Sequence, residues 1–372
     1  MKLMILKNNL KDGLDVISRT GGEGLSTLPI LKNFLMETVD NKIKLSATNL
    51  EIAATCFVSG KIVEDGGITI PLNIFNSIIN NIQNERINLE SNEDSLIIKT
   101  DNYEAKIQGI KKEEFPIIPG IGNDAFCFEI NGNLLREVLS FVVGAAQVSD
   151  LRPEMGGILF NFQSTFLKLA ATDSFRLAEK TVNENQFKTE AENRLKIIIP
   201  LKTINEVIRI FKKGNDKISV YVDNNQVLFR DENVELVSRI IGGDFPDYEV
   251  IIPQELKTEV ILNRDELINA IKLTSSFTDR LNEVRLVIKE KAKNVEIFSS
   301  GQGLGENKYL IPAKIKGPSL EAVFNWKYLI DGLKVFSSEN VNLGLNGDDK
   351  PAIIKSLNDA SSFYILMPIK AE

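Results

Sequence analysis

Ile130-Asn131-Gly132-Asn133-Leu134-Leu135-Arg136-Glu137-Val138-Leu139 runs from an extended apolar segment, through a polar step, into an amphipathic helix. Leu262-Asn263-Arg264-Asp265-Glu266-Leu267-Ile268-Asn269-Ala270-Ile271 repeats that order 132 residues later, and Leu6-Lys7-Asn8-Asn9-Leu10, continuing to Ile17, gives it 124 residues earlier. The polar residues stand where helix N-caps are expected. A second helix recurs in each unit. Ile70-Pro71-Leu72 leads into Ile74, Phe75, Ile78 and Ile79; Ile199-Pro200-Leu201 into Ile204, Val207, Ile208 and Phe211; Phe324-Asn325-Trp326 into Leu329, Ile330, Leu333 and Phe336. Each spacing puts one apolar stripe against a core, and proline suits a first helical turn. Glu114-Phe115-Pro116-Ile117-Ile118-Pro119 closes the first unit and Asp244-Phe245-Pro246-Asp247-Tyr248 the second. A chain of 372 residues therefore holds three copies of one unit of about 124.

Between the helices, Lys42 to Thr48, Ile87 to Leu89, Leu96 to Lys99, Ile218 to Val222 and Val227 to Arg230 alternate as strands, with turn clusters such as Asn92-Glu93-Asp94 between them. Hairpin runs with only two helices per unit predict an α+β fold on antiparallel sheet. The expected helices span 7–19, 72–83, 132–147, 201–213, 264–277 and 325–336, and the expected domains are 1–121, 122–252 and 253–372.

The composition excludes much chemistry. There is no histidine, which removes imidazole catalysis and histidine metal ligation. Two cysteines, Cys56 and Cys127, cannot complete a zinc site, and Cys56 lies in an apolar strand that predicts core. Gly301-Gln302-Gly303-Leu304-Gly305 lacks the Lys-Ser/Thr of a phosphate loop and is expected to be a flexible loop. Lys212-Lys213-Gly214 reads as a helix C-terminus. No paired acidic motif, metal site or cofactor site is expected. Met1 to Lys7 is too short an apolar run for a signal peptide, and no stretch is long enough to span a membrane, so a cytoplasmic protein is expected. The net charge is −7, yet the six expected helices carry twelve Lys and Arg against seven Asp and Glu. Basic helices in an acidic protein suggest a surface facing a polyanion without reading its sequence.

Ala170-Ala171-Thr172-Asp173-Ser174-Phe175-Arg176-Leu177-Ala178 resembles the Ala-Thr-Asp-Gly-His-Arg-Leu-Ala strand of the bacterial DNA polymerase III beta-subunit family, the replicative sliding clamps. Thr27-Leu28-Pro29-Ile30-Leu31, Ala47-Thr48-Asn49-Leu50-Glu51-Ile52, Gly157-Ile158-Leu159-Phe160, Phe245-Pro246-Asp247-Tyr248 and Met367-Pro368-Ile369 are similar to further family segments, in the right order along the whole chain. The resemblance implies three tandem clamp-type domains and a head-to-tail homodimer that closes a six-domain ring around duplex DNA. It implies a non-catalytic processivity factor that a clamp-loader ATPase places on DNA, and that DNA polymerases and repair proteins bind through short peptides.

The family's peptide pocket maps onto Met155, Thr172, Ser174, Phe175, Arg176, Leu177, Pro246, Ile251, Asn325, Tyr328, Met367, Pro368, Ile369 and Lys370. Arg152, Lys202, Arg209, Lys272, Lys327 and Lys334 are the expected DNA-facing residues, and Ile107 and Phe277 the expected dimer-interface residues. Ser174-Phe175 stands where Gly-His is common, and Leu25 and Val250 stand where arginines are common. Those two changes favour one alternative, a clamp-fold scaffold that binds proteins without encircling DNA. A second alternative, an enzyme with a carboxylate site, finds no paired acidic motif.

Overall fold

The computed structural model describes residues 1–20, 28–92, 94–122, 125–149, 151–163, 165–189, 194–212, 217–278 and 282–370. Leu25, Thr27, Glu93, Lys213 and Gly214 lie outside the described residues. Each repeat lays down one strand, one helix, a run of strands, a second helix and three more strands. The helices are α1 (Lys7–Ile17), α2 (Leu72–Asn81), α3 (Gly132–Val142), α4 (Leu201–Ile210), α5 (Arg264–Thr274) and α6 (Trp326–Lys334). They end earlier than the apolar stripes predict. After α3 and α5 the chain tightens into single 3-10 turns, Val143–Ala145 and Ser275–Phe277, which satisfy terminal carbonyls that a continuing helix would have bonded.

Asn131, Asn263 and Asn325 act as the polar step predicts, their Oδ1 atoms accepting from the amides of Asn133, Glu266 and Lys327 at 3.0, 2.9 and 3.0 Å. The first repeat differs: α1 opens directly from its strand, Leu6 takes the cap position without a side-chain bond, and Asn8 and Asn9 lie inside the helix. Pro71 and Pro200 also sit one step earlier than expected. Pro71 is the N-cap of α2, and Pro200 ends the strand before α4. The N-cap amide makes no intrahelical bond, so proline is tolerated there as well.

The chain forms two compact units. The first includes Met1–Asn133 and Glu206–Ile240. One of its sheets has five strands in the order Lys61–Glu64, Lys2–Leu6, Arg86–Ser91, Ser95–Lys99, Glu104–Gln108. The other has nine and joins the first repeat to the second: Val234–Arg239 pairs antiparallel with Ile52–Val58, from Val234 opposite Cys56 to Ser238 opposite Ile52. Leu10, Leu14 and Ile17 bury the inner stripe of α1. Gly13 lets the helix lie close to the sheet, since a Cβ there would come within 2.7 Å of Leu45 and 2.8 Å of Val58.

The second unit includes Leu134–Gln186 and Ile241–Glu372 and holds one twelve-stranded sheet. Its seam between repeats follows the same plan: Arg176–Asn183 pairs with Ser362–Leu366, from Arg176 opposite Leu366 to Lys180 opposite Ser362. In the third repeat one twelve-residue strand, Gly305–Lys316, serves where the others use two. Its first part pairs with Asn294–Gly301 and its second with Thr258–Asn263. Gly301 to Gly305, expected to be a flexible loop, forms the hairpin connection between these strands. No described helix is long and apolar enough to cross a membrane.

Candidate functional site

The Ala-Thr-Asp segment ends in a turn that the chain builds twice. Thr172 Oγ1 donates to Arg176 O at 2.7 Å and accepts from Ser174 N at 3.2 Å, while Asp173 Oδ1 accepts from the amides of Phe175 and Arg176 at 3.0 Å each. The same four bonds recur 124 residues earlier: Thr48 Oγ1 to Ile52 O, Leu50 N to Thr48 Oγ1, and Glu51 N and Ile52 N to Asn49 Oδ1. Threonine followed by Asp or Asn is the residue pair that can hold such a turn from within. The third residue is left-handed in both copies, with φ of 77° at Ser174 and 74° at Leu50. The third repeat makes its version with glycine, Gly303 at φ 79°.

This turn presents Phe175 and Arg176. Arg176 Nε donates to Asp173 Oδ2 at 2.9 Å and its NH1 to Asp331 Oδ2 at 2.6 Å, and the guanidinium lies 4.3 Å from the centre of the Tyr328 ring. Charge-assisted bonds and the ring face fix its orientation. Phe175, 59% exposed, stacks beside Tyr328 with ring centres 6.5 Å apart. Asn325 caps α6, the helix that carries Tyr328 and Asp331. The chain end is tied to the same place: Met367 N donates to Phe175 O and Ile369 N to Val323 O, both at 2.8 Å. Pro368 lies between these two bonds, and Lys370 is exposed beyond them. Ser174 Oγ lies 3.4 Å from Met155 Sδ.

Leu177 and Met155 are buried rather than exposed walls. Leu177 forms a floor with Leu159, Ala170, Tyr248, Ile353 and Ile365, because the seam strand turns it into the sheet core. Tyr248 is held there by its hydroxyl, which donates to the buried Glu179 carboxylate at 2.5 Å. Burial pushes the Glu179 carboxyl up, against the opposing pull of that bond and of Lys168. Pro246 lines a cavity of about 350 Å³ with Leu159, Phe245 and Tyr248, and Ile251 sits exposed on the 3-10 turn Glu249–Ile251. Asp331 and the Tyr248–Glu179 pair were not singled out from the sequence. Asp331 has no local signal, whereas the Phe-Pro-Asp-Tyr segment could have pointed to Tyr248.

Of the residues expected to face DNA, Arg152, Lys202, Lys272, Lys327 and Lys334 are exposed. Arg209 is not available in that way. Its Nε binds Glu206 Oε2 at 2.7 Å, its NH2 donates to Val16 O at 2.7 Å and its NH1 to Asp15 O, so it caps the C-terminus of α1. Ile107 is buried at 5% exposure within its own chain, since alternation on the strand Glu104–Gln108 turns it inward and leaves Lys106 and Gln108 outward. Phe277 is half-buried in the 3-10 turn after α5, near Gly305.

Family models for the N-terminal, central and C-terminal domains of the DNA polymerase III beta subunit match residues 1–119, 129–247 and 249–370. The beta sliding clamp of Bacillus subtilis is 27% identical over 383 residues, covering 100% of both chains. That of Synechococcus elongatus is 26% identical, covering 100% of this chain and 99% of the relative. The crystal structure of the Bacillus subtilis DNA polymerase sliding clamp superposes with a TM-score of 0.94 at 26% identity, and that of the Thermotoga maritima DNA polymerase III beta subunit with 0.91 at 26%, each covering 100% of both chains.

Proposed function

The chain belongs to the DNA polymerase III beta-subunit family, and from that premise we propose that it is a sliding clamp that encircles duplex DNA and gives its polymerase processivity, with no catalysis of its own. The observation that carries the ring is the pattern of edges. Repeat one joins repeat two through Ile52–Val58 and Val234–Arg239, and repeat two joins repeat three through Arg176–Asn183 and Ser362–Leu366. Among the described strands, one edge of each seam-forming kind is left over. Glu104–Gln108 ends the five-stranded sheet, and the first part of Gly305–Lys316 is bonded only to Asn294–Gly301. Unpaired edges seek strands. A second chain, placed head to tail, supplies the missing seam twice and closes six domains into a ring. Main-chain pairing then carries the interface, with Phe277 beside it, while Ile107 contributes through the fold of its own domain.

The three domains are 1–121, 122–252 and 253–372. Arg152, Lys202, Lys272, Lys327 and Lys334 face the duplex with weak, salt-sensitive contacts. The turn at Thr172–Arg176, Tyr328 and Met367–Lys370, with Leu177 as floor and Pro246 and Ile251 beside it, receives short peptides of polymerases, of the clamp-loader ATPase and of repair proteins, in the cytoplasm. Apolar anchors suit its floor, and Arg176 fixes peptide orientation. Loading onto nicked circular DNA tests the whole. The expected protein is a dimer at micromolar concentration, retained on circles and lost when the circle is cut. A stable monomer, or equal retention on linear DNA, would favour a scaffold that does not encircle DNA.

A further inference from the structure

We propose that the outward face of the five-stranded sheet is a second docking surface, for an acidic segment of a partner protein that carries one apolar anchor. On the strand Lys2–Leu6, Leu3 and Ile5 point into the core, leaving Lys2, Met4 and Leu6 outward. Met4, Leu6 and Val63, on the outward face, are 37%, 49% and 58% exposed. Met4 and Val63, with Ile97, line a shallow pocket of about 300 Å³. Lys2, Lys61 and Lys99 rim it. Lys106 lies opposite Ile97 and Arg86 opposite Leu6 on the neighbouring strands.

The repeats supply an internal control. A helix begins immediately after Leu6, Asn131 and Asn263, so Lys2, Met4 and Leu6 correspond to Cys127, Glu129 and Asn131 and to Glu259, Ile261 and Asn263. The fold does not require lysine and exposed aliphatics at these positions. Only the first repeat combines them, in a chain whose net charge is −7.

The charge pattern names the occupant. Lys2 is paired to Glu90 at 3.6 Å and Lys99 to Glu104 at 3.4 Å, both largely in solvent, and Lys61 has no ion-pair partner among the described residues. Exposed pairs of this sort are weak, so incoming carboxylates displace them at little cost. The aliphatic floor gains nothing from phosphates but receives one leucine or phenylalanine side chain.

A fluorescein-labelled hexapeptide with a single apolar residue, Asp-Glu-Asp-Leu-Asp-Glu, titrated with the full chain and read by anisotropy, tests this. Saturable binding is expected, about tenfold weaker in the double variant Lys61→Glu, Lys99→Glu and in Val63→Asp, and unchanged in Arg176→Ala. Circular dichroism checks that each variant is folded. No binding, or binding lost in Arg176→Ala and kept in the face variants, would overturn the proposal. Competition by phosphatidylglycerol vesicles or duplex DNA as effective as unlabelled peptide would also overturn it, by making the face a general polyanion surface. Self-association abolished by the same substitutions, without peptide binding, would make it a contact between copies of this chain.

Discussion

Replacing Ser174 by glycine should stabilise the protein, although it removes a side chain. Ser174 has φ of 77°, where an L-residue carries a cost of about 1–2 kcal/mol from Cβ crowding. Glycine avoids that cost but adds about 0.5–1 kcal/mol of unfolded-chain entropy. The 3.4 Å Ser174–Met155 contact, a hydroxyl on a thioether, is weak. The net expectation is a gain of about 0.5–1 kcal/mol, or about 0.2–0.3 M in urea midpoint at a slope near 3 kcal/mol/M. The same turn gives two more tests. Leu50, at φ 74° and 49% exposed, should respond to glycine in the same direction. Gly303, at φ 79° with open space around a Cβ, should lose about 1 kcal/mol as alanine, from backbone strain alone. The first two sites share no hydrogen-bond partner, so their gains should add. Urea unfolding followed by circular dichroism measures the three single variants and the Ser174→Gly, Leu50→Gly double variant. A lower midpoint for Ser174→Gly and Leu50→Gly, or a higher one for Gly303→Ala, would refute the assignment of strain to these turns.

Tyr248→Phe should cost about 1–3 kcal/mol, because it strips the donor from a buried carboxylate; equal stability in urea would show that Glu179 is otherwise satisfied. Because burial raises the Glu179 carboxyl above its usual range, the folded protein binds that proton more tightly than the unfolded chain. The associated stability is present at acid pH and falls as pH rises through the raised value, and Glu179→Gln should flatten that part of a stability-against-pH curve. Cys56 is raised from 9.0 to about 12 by burial and by Asp231 and Asp12, so its thiolate fraction is about a thousandfold lower than that of an ordinary thiol. Iodoacetamide at pH 8 should spare Cys56 in the native protein and modify it in urea, and equal rates would count against its burial. Arg209→Ala should destabilise by about 1–3 kcal/mol through the lost cap on α1, whereas Lys202→Ala should lower DNA affinity with less than about 0.5 kcal/mol change in stability; the reverse order would return Arg209 to the DNA surface.

The threefold plan was legible in residue types alone. The 3.6-residue apolar stripes of α1 to α6, the asparagine steps at Asn131, Asn263 and Asn325, and the alternating strands are local patterns, and local patterns are written along the chain. The Thr-Asx turn is local too, since its donors and acceptors lie within five residues. What only the tertiary structure decided depends on partners far away in sequence. Arg209 carries the same charge as Lys202, but its fork reaches carbonyls 193 residues away and is used up there. Ile107 is apolar in any context, and only the packing of the strand Glu104–Gln108 on its sheet turns it inward. Asp331 meets Arg176 across 155 residues, and Tyr248 meets Glu179 across 69. The lone side chain of an arginine or a tyrosine holds no record of which acceptor it will find, because that choice is made by the seams between repeats. Those seams are main-chain pairings, which any sequence of suitable β-propensity can make and which therefore leave little trace in the residues themselves.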